Sequence, residues 1–237
     1  MEYNDEVVVA WEVRLSIYHS ILIQSSYRIE KNSRRRLELS MLTVIPSLSS
    51  QTIKPVIHVE VSMLDPLYQR RIDAFRDTGC EVVVVHIEDP RSWNMPDKRK
   101  MMHRLDDDDV VSSDFCERTM EAVSGDGDIA LIWPNGFVLY GGKLYQKQHH
   151  NNQFVALVTD RVWHPYQVNH HRFYNMPEWR NIIVSDDQAW VWVRHADSIS
   201  QTGKVYRSAG HVDSLPNRFH VDHDEINRLV ASMGRCR

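Results

Sequence analysis

Between Glu81 and Ile87 the chain reads Glu-Val-Val-Val-Val-His-Ile, with four valines in succession. A strand with one wet face alternates apolar and polar side chains, whereas a strand covered on both faces is apolar throughout. This run therefore predicts a strand inside a parallel sheet. Such a sheet needs crossover segments that return the chain to the same edge.

The flanking sequence supplies them. Val7 to Tyr18 reads as a buried strand leading into a loop. Ser33 to Ile45 reads as a helix, with Leu37, Met41, Leu42 and Ile45 at helical spacing and Pro46 beginning the exit. Pro55 to Ser62 is a second strand, and Asp65-Pro66 starts a helix to about Asp77, with Gly79 as its C-terminal cap. Asp89 to Arg99 carries Pro90 and Pro96 and is a polar loop. A short segment, Met101 to Leu105, then leads into four consecutive aspartates, Asp106 to Asp109. Val110 to Val123 reads as the next helix, with Ser112 or Ser113 at its start. Alternating strands and helices of this kind predict an α/β fold, a mainly parallel sheet flanked by helices. Ligands in such folds bind beyond the carboxyl ends of the strands, where the aspartates fall.

After Gly127 the pattern changes. Asp128 to Trp133, Gly136 to Tyr140, Lys143 to Gln146 and Gln153 to Thr159 are short strand candidates separated by turn residues, which predicts a small antiparallel extension. A final helix is expected over Asp224 to Met233. No repeat or low-complexity linker divides the chain, so 1–237 is expected to form a single domain, with halves of about 1–125 and about 126–237.

The aspartate run is the chemical signal. Adjacent carboxylates repel and raise each other's pKa unless a cation or hydrogen-bond donors compensate. Hard cations such as Mg²⁺ and Mn²⁺ prefer oxygen ligands, and Mg²⁺ commonly pairs one or two carboxylates with substrate phosphates. The competing reading is a solvated acidic turn that caps the following helix.

Composition removes several classes. A chain of 237 residues, 42% hydrophobic and 25% charged, is ordinary for a soluble globular protein. A net charge of -4 argues against a nucleic-acid binder with a broad basic face. The basic run Lys31-Asn32-Ser33-Arg34-Arg35-Arg36 reads first as a solvated helix face and second as a contact for an anionic ligand or a membrane surface. Three cysteines, Cys80, Cys116 and Cys236, without CxxC spacing favour a reducing compartment over a zinc ribbon or a disulfide framework. No cleavable signal opens the chain, and no apolar stretch reaches the roughly 20 residues of a membrane span, so a cytoplasmic protein is expected. Nothing in the sequence specifies an oligomeric state.

Three phrases carry a family resemblance. Leu37 to Gln51 looks like a helix with a "PS-x-x-x-Q" exit after the first strand. Arg104-Leu105-Asp106-Asp107-Asp108-Asp109 looks like an "RLD-x-DD" metal motif. Trp192 to Ser200 resembles a late "H-x-x-x-[IV]-S" segment. In this order the phrases resemble the rhamnosyltransferase family, among nucleotide-sugar glycosyltransferases of the GT-A (Rossmann-like) fold.

The resemblance implies a divalent cation, Mn²⁺ or Mg²⁺, and a dTDP-, UDP- or GDP-sugar donor whose sugar passes to a glycan or other hydroxyl acceptor. Residues about 1–125 would then be the nucleotide-sugar half and about 126–237 the acceptor half. Asp108 would hold the metal with Asp106 and Asp109, and Asp106 would also face the nucleotide or ribose. Asp107 stands at the variable position of the motif, on the donor side. His195 is a further metal-ligand candidate or an ordinary half-buried histidine. Arg104 reaches a phosphate or forms an ion pair with an aspartate. Arg14 and Ser16, after the first strand, would meet the nucleobase and ribose or merely anchor a loop. The resemblance favours inversion, which needs a general base at the acceptor hydroxyl. Asp186 and Asp187 are the paired carboxylates that offer one, or else a loop cap, and Asp160 is a weaker candidate. His164, His170 and His171, with Trp163, Tyr166, Phe173, Tyr174 and Trp179, suit an acceptor sugar face or a packing role.

Two other readings remain open at the level of sequence. Asp106 to Val111 also fits the "D-x-D-x-[TV]-[LV]" motif of haloacid-dehalogenase-like phosphatases, with Lys143 and the Asp186-Asp187 pair as partners. That motif should close a strongly apolar strand near the chain start, and here it follows about a hundred residues and a basic segment. The other reading is a module that binds a nucleotide sugar or glycan without turnover.

Overall fold

The computed structural model describes residues 17–24, 29–89, 95–161, 176–195 and 211–233. In chain order these form β1 (Tyr18–Gln24), α1 (Ile29–Leu42), α2 (Val44–Ser49), β2 (Val56–Val61), α3 (Tyr68–Arg76), β3 (Val82–His86), β4 (Lys100–Asp106), β5 (Val110–Val111) and α4 (Phe115–Glu121). Then follow β6 (Ile129–Ile132), β7 (Asn135–Tyr140), β8 (Lys143–Gln148), β9 (Val155–Thr159), β10 (Arg180–Ile183), β11 (Gln188–Arg194), β12 (His211–Val212) and α5 (His223–Ser232).

The main sheet has seven strands in the order β10-β6-β9-β4-β1-β2-β3. β3, β2, β1 and β4 are mutually parallel, β10 is parallel to β6, and β9 alone runs against its neighbours. The fold is therefore α/β, with a mostly parallel Rossmann-like sheet and helices packed on it. β4 lies in the middle of that sheet with Met101, Met102 and Leu105 buried, so its carboxyl end opens at the centre of one edge. The valine run does form a parallel strand, but β3 is the sheet's edge and only Val85 of it is fully buried.

A second sheet, β12-β8-β7-β11-β5, has five strands, and only its β7–β11 pair is parallel. It is larger than the small extension expected, and β6 and β9, both expected within that extension, belong to the main sheet instead. Trp133 and Trp190 pack between the sheets: the Trp190 ring lies 4.8 Å from Phe154 at 7°, and its Nε1 donates to the Trp133 carbonyl at 2.8 Å. The hydrogen bond satisfies the indole's only donor, and an aromatic pair of this kind adds about 0.5–1.5 kcal/mol beyond burial. On its other face the second sheet packs Phe137, Leu139 and Val193 against Ile226 and Val230 of α5. Asp222 caps that helix by accepting from the backbone N–H groups of Asp224 and Glu225 at 3.0 Å.

Several boundaries differ from expectation. Most of Val7 to Tyr18 lies outside the described residues, and the first described strand begins at Tyr18. Pro46 does not end the helical region. It sits in the first turn of α2, where its missing N–H is not needed. Asp65 does not cap α3 directly. Its Oδ1 accepts from Leu67 N at 2.9 Å, one turn before the helix starts. Val110 and Val111 are a strand and not the start of a helix, because β11 is there to pair with them, and α4 begins only at Phe115 after Asp114. Among the described residues no helix is long and apolar enough to cross a membrane.

Candidate active site

The site forms where the two sheets meet. β4 ends at Asp106, and the backbone N–H of Asp109 donates to the Asp106 carbonyl at 3.2 Å, closing a tight turn. The chain then enters the second sheet as β5, where Val110 and Val111 pair antiparallel with Val191 and Trp190 of β11. Continuing that register carries the end of β11 back toward the turn. His195, the first residue after β11, accordingly places Nε2 2.7 Å from Asp108 Oδ2.

Within the turn the four aspartates divide. Carboxylate oxygens of Asp106, Asp108 and Asp109 lie within 4.8 Å of one another. Asp107 turns the other way, fully buried, and forms ion pairs with Arg36 of α1 and with Arg71 of α3, the latter at 3.6 Å. Asp109 is also fully buried. Its Oδ2 accepts from Gln153 Nε2 at 3.1 Å and from the Asp106 backbone N–H at 3.4 Å, while its Oδ1 has no partner.

The electrostatics follow from this division. Burial, then the Asp108 charge, pushes Asp106 up to about 6 against the pull of Arg104, Arg36 and Arg194. Burial, then the charges of Asp106 and Asp108, pushes Asp109 well above the usual carboxylate range. Burial also acts upward on Asp108, but Arg36 and the His195 hydrogen bond outweigh it and hold Asp108 below the usual value. The turn thus presents one stable carboxylate beside two whose ionisation is suppressed for lack of positive charge. A divalent cation supplies that charge, and the orphaned Asp109 oxygen and the all-oxygen donor set suit Mn²⁺ or Mg²⁺. His195 Nε2 points at a carboxylate oxygen and lies outside the three-aspartate cluster, so in this arrangement it orients Asp108.

The other sequence candidates fall elsewhere. Arg104, on β4, is part-buried and acts on Asp106 through its charge. Asp186 and Asp187 precede β11 at the end away from His195, roughly 20 Å along a seven-residue strand. Asp187 pairs with Arg118 at 2.9 Å and caps its own loop through Ser185. Asp160 follows β9, whose Thr159 pairs with Lys100 at the start of β4, so it lies at the edge of the sheet opposite the aspartates. Trp179 is buried in the core against Leu157 and Ile132. Arg14, Ser16, His164, His170, His171, Trp163, Tyr166, Phe173 and Tyr174 lie outside the described residues, as do Ala196 to Ser200.

Sequence reasoning missed Arg36, Arg71 and Gln153. Arg34 and Arg35 are solvated, as the basic run suggested, but Arg36 turns inward. Helical spacing carried a signal: Arg36, Ser40 and Thr43 share a face, and Thr43 Oγ1 reaches the Asp107 carbonyl at 3.5 Å. Arg71 and Gln153 belong to no local pattern.

No curated protein matches the sequence. Among solved structures, 4-diphosphocytidyl-2C-methyl-D-erythritol synthase from Anaerococcus prevotii is similar at 14% identity and a TM-score of 0.40, over 73% of this chain and 89% of that one. HddC from Yersinia pseudotuberculosis is similar at 8% identity and a TM-score of 0.41, over 70% and 90%. The glycosyltransferase GlyE from Streptococcus pneumoniae is similar at 11% identity and a TM-score of 0.37, over 70% and 45%. Residues 84–207, just over half of the chain and spanning both the aspartate turn and His195, match the family described as "putative rhamnosyl transferase", and the chain belongs to that family of glycosyltransferases.

Proposed function

We propose that the protein is a divalent-metal-dependent glycosyltransferase that moves rhamnose or another hexose from a dTDP-, UDP- or GDP-sugar to a glycan or other hydroxyl acceptor, with inversion. The observation that carries this reading is the convergence of Asp106, Asp108 and Asp109 within 4.8 Å, with a buried, unpartnered Asp109 oxygen, at the carboxyl end of the central strand. Asp106, Asp108 and Asp109 would hold the cation, which supplies positive charge to a leaving diphosphate. His195 fixes the Asp108 rotamer, and Gln153 does the same for Asp109. Arg36, Arg104 and Arg194 add positive charge around Asp106, on the side where a phosphorylated donor would gain from it. Asp186 and Asp187, the general-base candidates of the sequence, stand before β11 at the end away from His195, and this reading leaves the base unassigned.

The test is a thermal-shift screen with UDP-, dTDP- and GDP-sugars, each with and without Mn²⁺, on the wild type and Asp108→Ala. A donor at a hundredfold excess over its Kd stabilises by about 2.7 kcal/mol, a rise of roughly 5–10 °C for a chain of this size. A Mn²⁺-dependent shift for one nucleotide class, absent in the variant, is expected. No shift with any donor on folded wild type would overturn the reading, and metal-dependent hydrolysis of a simple phosphate ester would replace it with the phosphatase. Proton NMR of the anomeric centre of the product decides inversion.

A further inference from the structure

Asp107 looks, in sequence, like one more member of an acidic ligand run, yet its surroundings are unlike those of its neighbours. Both of its carboxylate oxygens face guanidinium groups. Arg36 Nη2 pairs with Oδ1 and Arg36 Nε donates to Oδ2 at 3.3 Å. Arg71 Nη1 sits 3.6 Å from Oδ2. Arg71 is itself buried, and its Nε donates to Asp65 Oδ2 at 3.1 Å while Nη2 donates to the Ser33 carbonyl at 3.2 Å. Two carboxylates and two guanidiniums therefore balance without an outside ion. The contrast with Asp109, whose Oδ1 has no partner, is direct.

We propose that Asp107 is the positioning residue of the turn: Arg36 from α1 and Arg71 from α3 hold it, and this fixed point makes Asp106, Asp108 and Asp109 converge. The inference rests on the metal reading above and adds the device that builds the metal site. A four-residue turn with three mutually repelling carboxylates would relax outward if nothing restrained it. His195 and Gln153 hold the Asp108 and Asp109 side chains, and the aspartate that faces away holds the backbone between Asp106 and Asp108. Arg36 also reaches Asp108 Oδ2 at 3.6 Å, so the same guanidinium touches both the anchor and a ligand. Arg71 touches only the anchor side, through Asp107, Asp65 and Ser33, which makes it the informative residue.

The experiment measures Mn²⁺ affinity of the full chain by the EPR signal of free Mn²⁺, with no sugar donor present. The variants are Asp107→Asn, Arg71→Met and Arg71→Lys, with Val158→Ala as a control that opens a cavity in the core near the start of β4, at the end of the main sheet opposite the aspartates. Loss of a group that orients a ligand weakens metal binding by about 10–100-fold. That loss is expected in Asp107→Asn and Arg71→Met, with partial recovery in Arg71→Lys, which keeps the charge but not the fork. The control is expected to melt earlier and bind Mn²⁺ as the wild type does. Wild-type affinity in folded Arg71→Met overturns the proposal, as does an equal loss in the control. Should Asp107→Asn or Arg71→Met not fold, Arg71→Lys decides alone, and wild-type affinity there is likewise fatal. A wild type that binds no Mn²⁺ overturns the metal reading itself, which separates the two failures.

Discussion

His195 Nε2 lies 2.7 Å from Asp108 Oδ2, joining the end of β11 to the aspartate turn across the seam between the two sheets. The imidazole is fully enclosed and the carboxylate nearly so. Burial strengthens such a contact and makes its loss expensive. His195→Ala would free the Asp108 rotamer and remove one of the groups that keep that carboxyl ionised. Mn²⁺ affinity is expected to fall about tenfold or more. Asp108→Asn, which removes a ligand, should cost more than His195→Ala, and the reverse order would show that the imidazole binds the metal directly. Titration of free Mn²⁺ by EPR compares the two.

Cation binding should release protons. Burial and the neighbouring carboxylates raise Asp106 to about 6 and Asp109 well beyond the usual range, so without a cation both hold protons more firmly than free carboxyls do. Protons and the cation compete for the same oxygens, and Mn²⁺ affinity should rise as pH increases through 6. Isothermal titration at pH 6 in two buffers of different ionisation enthalpy is expected to report net proton release on Mn²⁺ binding. A heat independent of buffer would mean that the carboxyls are already ionised, contrary to the geometry of the turn.

The legibility of this chain follows from the range of its interactions. β2, β3, α3 and α5 are readable because local periodicity sets them, and the aspartate turn is readable because its chemistry lies in one short phrase. Val110-Val111 was not readable as a strand, since only the partner β11, some eighty residues later, makes it one. Gly127 to Thr159 offered strands of the right length but no local sign of which sheet each would join. The inward turn of Asp107 was hidden for the same reason: Arg71 and Asp65 lie in another helix unit, and no spacing rule links them to the turn. His195 was found through a resemblance, and its partner through the register of β5 and β11.

Gly136 is required by packing. A Cβ at this position in β7 would fall inside the Trp190 indole, which is held by its stack on Phe154 and its bond to the Trp133 carbonyl. Backbone or indole must move, and overpacking of this kind costs about 1–3 kcal/mol. Gly136→Ala should lower Tm by several degrees, roughly 2–4 °C per kcal/mol at this chain length. Trp190→Phe in the Gly136→Ala background should recover part of that loss by removing the fused ring. Calorimetry of the single and double variants checks both statements, and a neutral Gly136→Ala would show that the indole is not confined.

Acid stability is expected to depend on buried histidines that are not part of the aspartate turn. His19 on β1 and His103 on β4 face each other at 5.1 Å between ring centroids, and no nitrogen of either ring has a hydrogen-bond partner. Burial lowers His19 to about 3 and His103 well below its ordinary value, and burial also lowers His58 to about 4. A histidine whose folded pKa is depressed contributes stability that is complete above its unfolded pKa of about 6.5 and is lost as pH falls. Asp106 and Asp109 act in the opposite sense, because the folded chain keeps protons on them that the unfolded chain releases above about 3.8. On the acid limb below pH 6 the three imidazoles, joined by the lowered Asp108, cost the metal-free protein stability, and the two raised carboxyls act against them. His19→Met should flatten that limb, and Asp109→Asn should steepen it by a similar amount. Urea unfolding at half-unit pH steps measures the slope. A His19→Met slope unchanged from wild type would place charge on that imidazole in the folded state and overturn the assignment of a neutral buried ring.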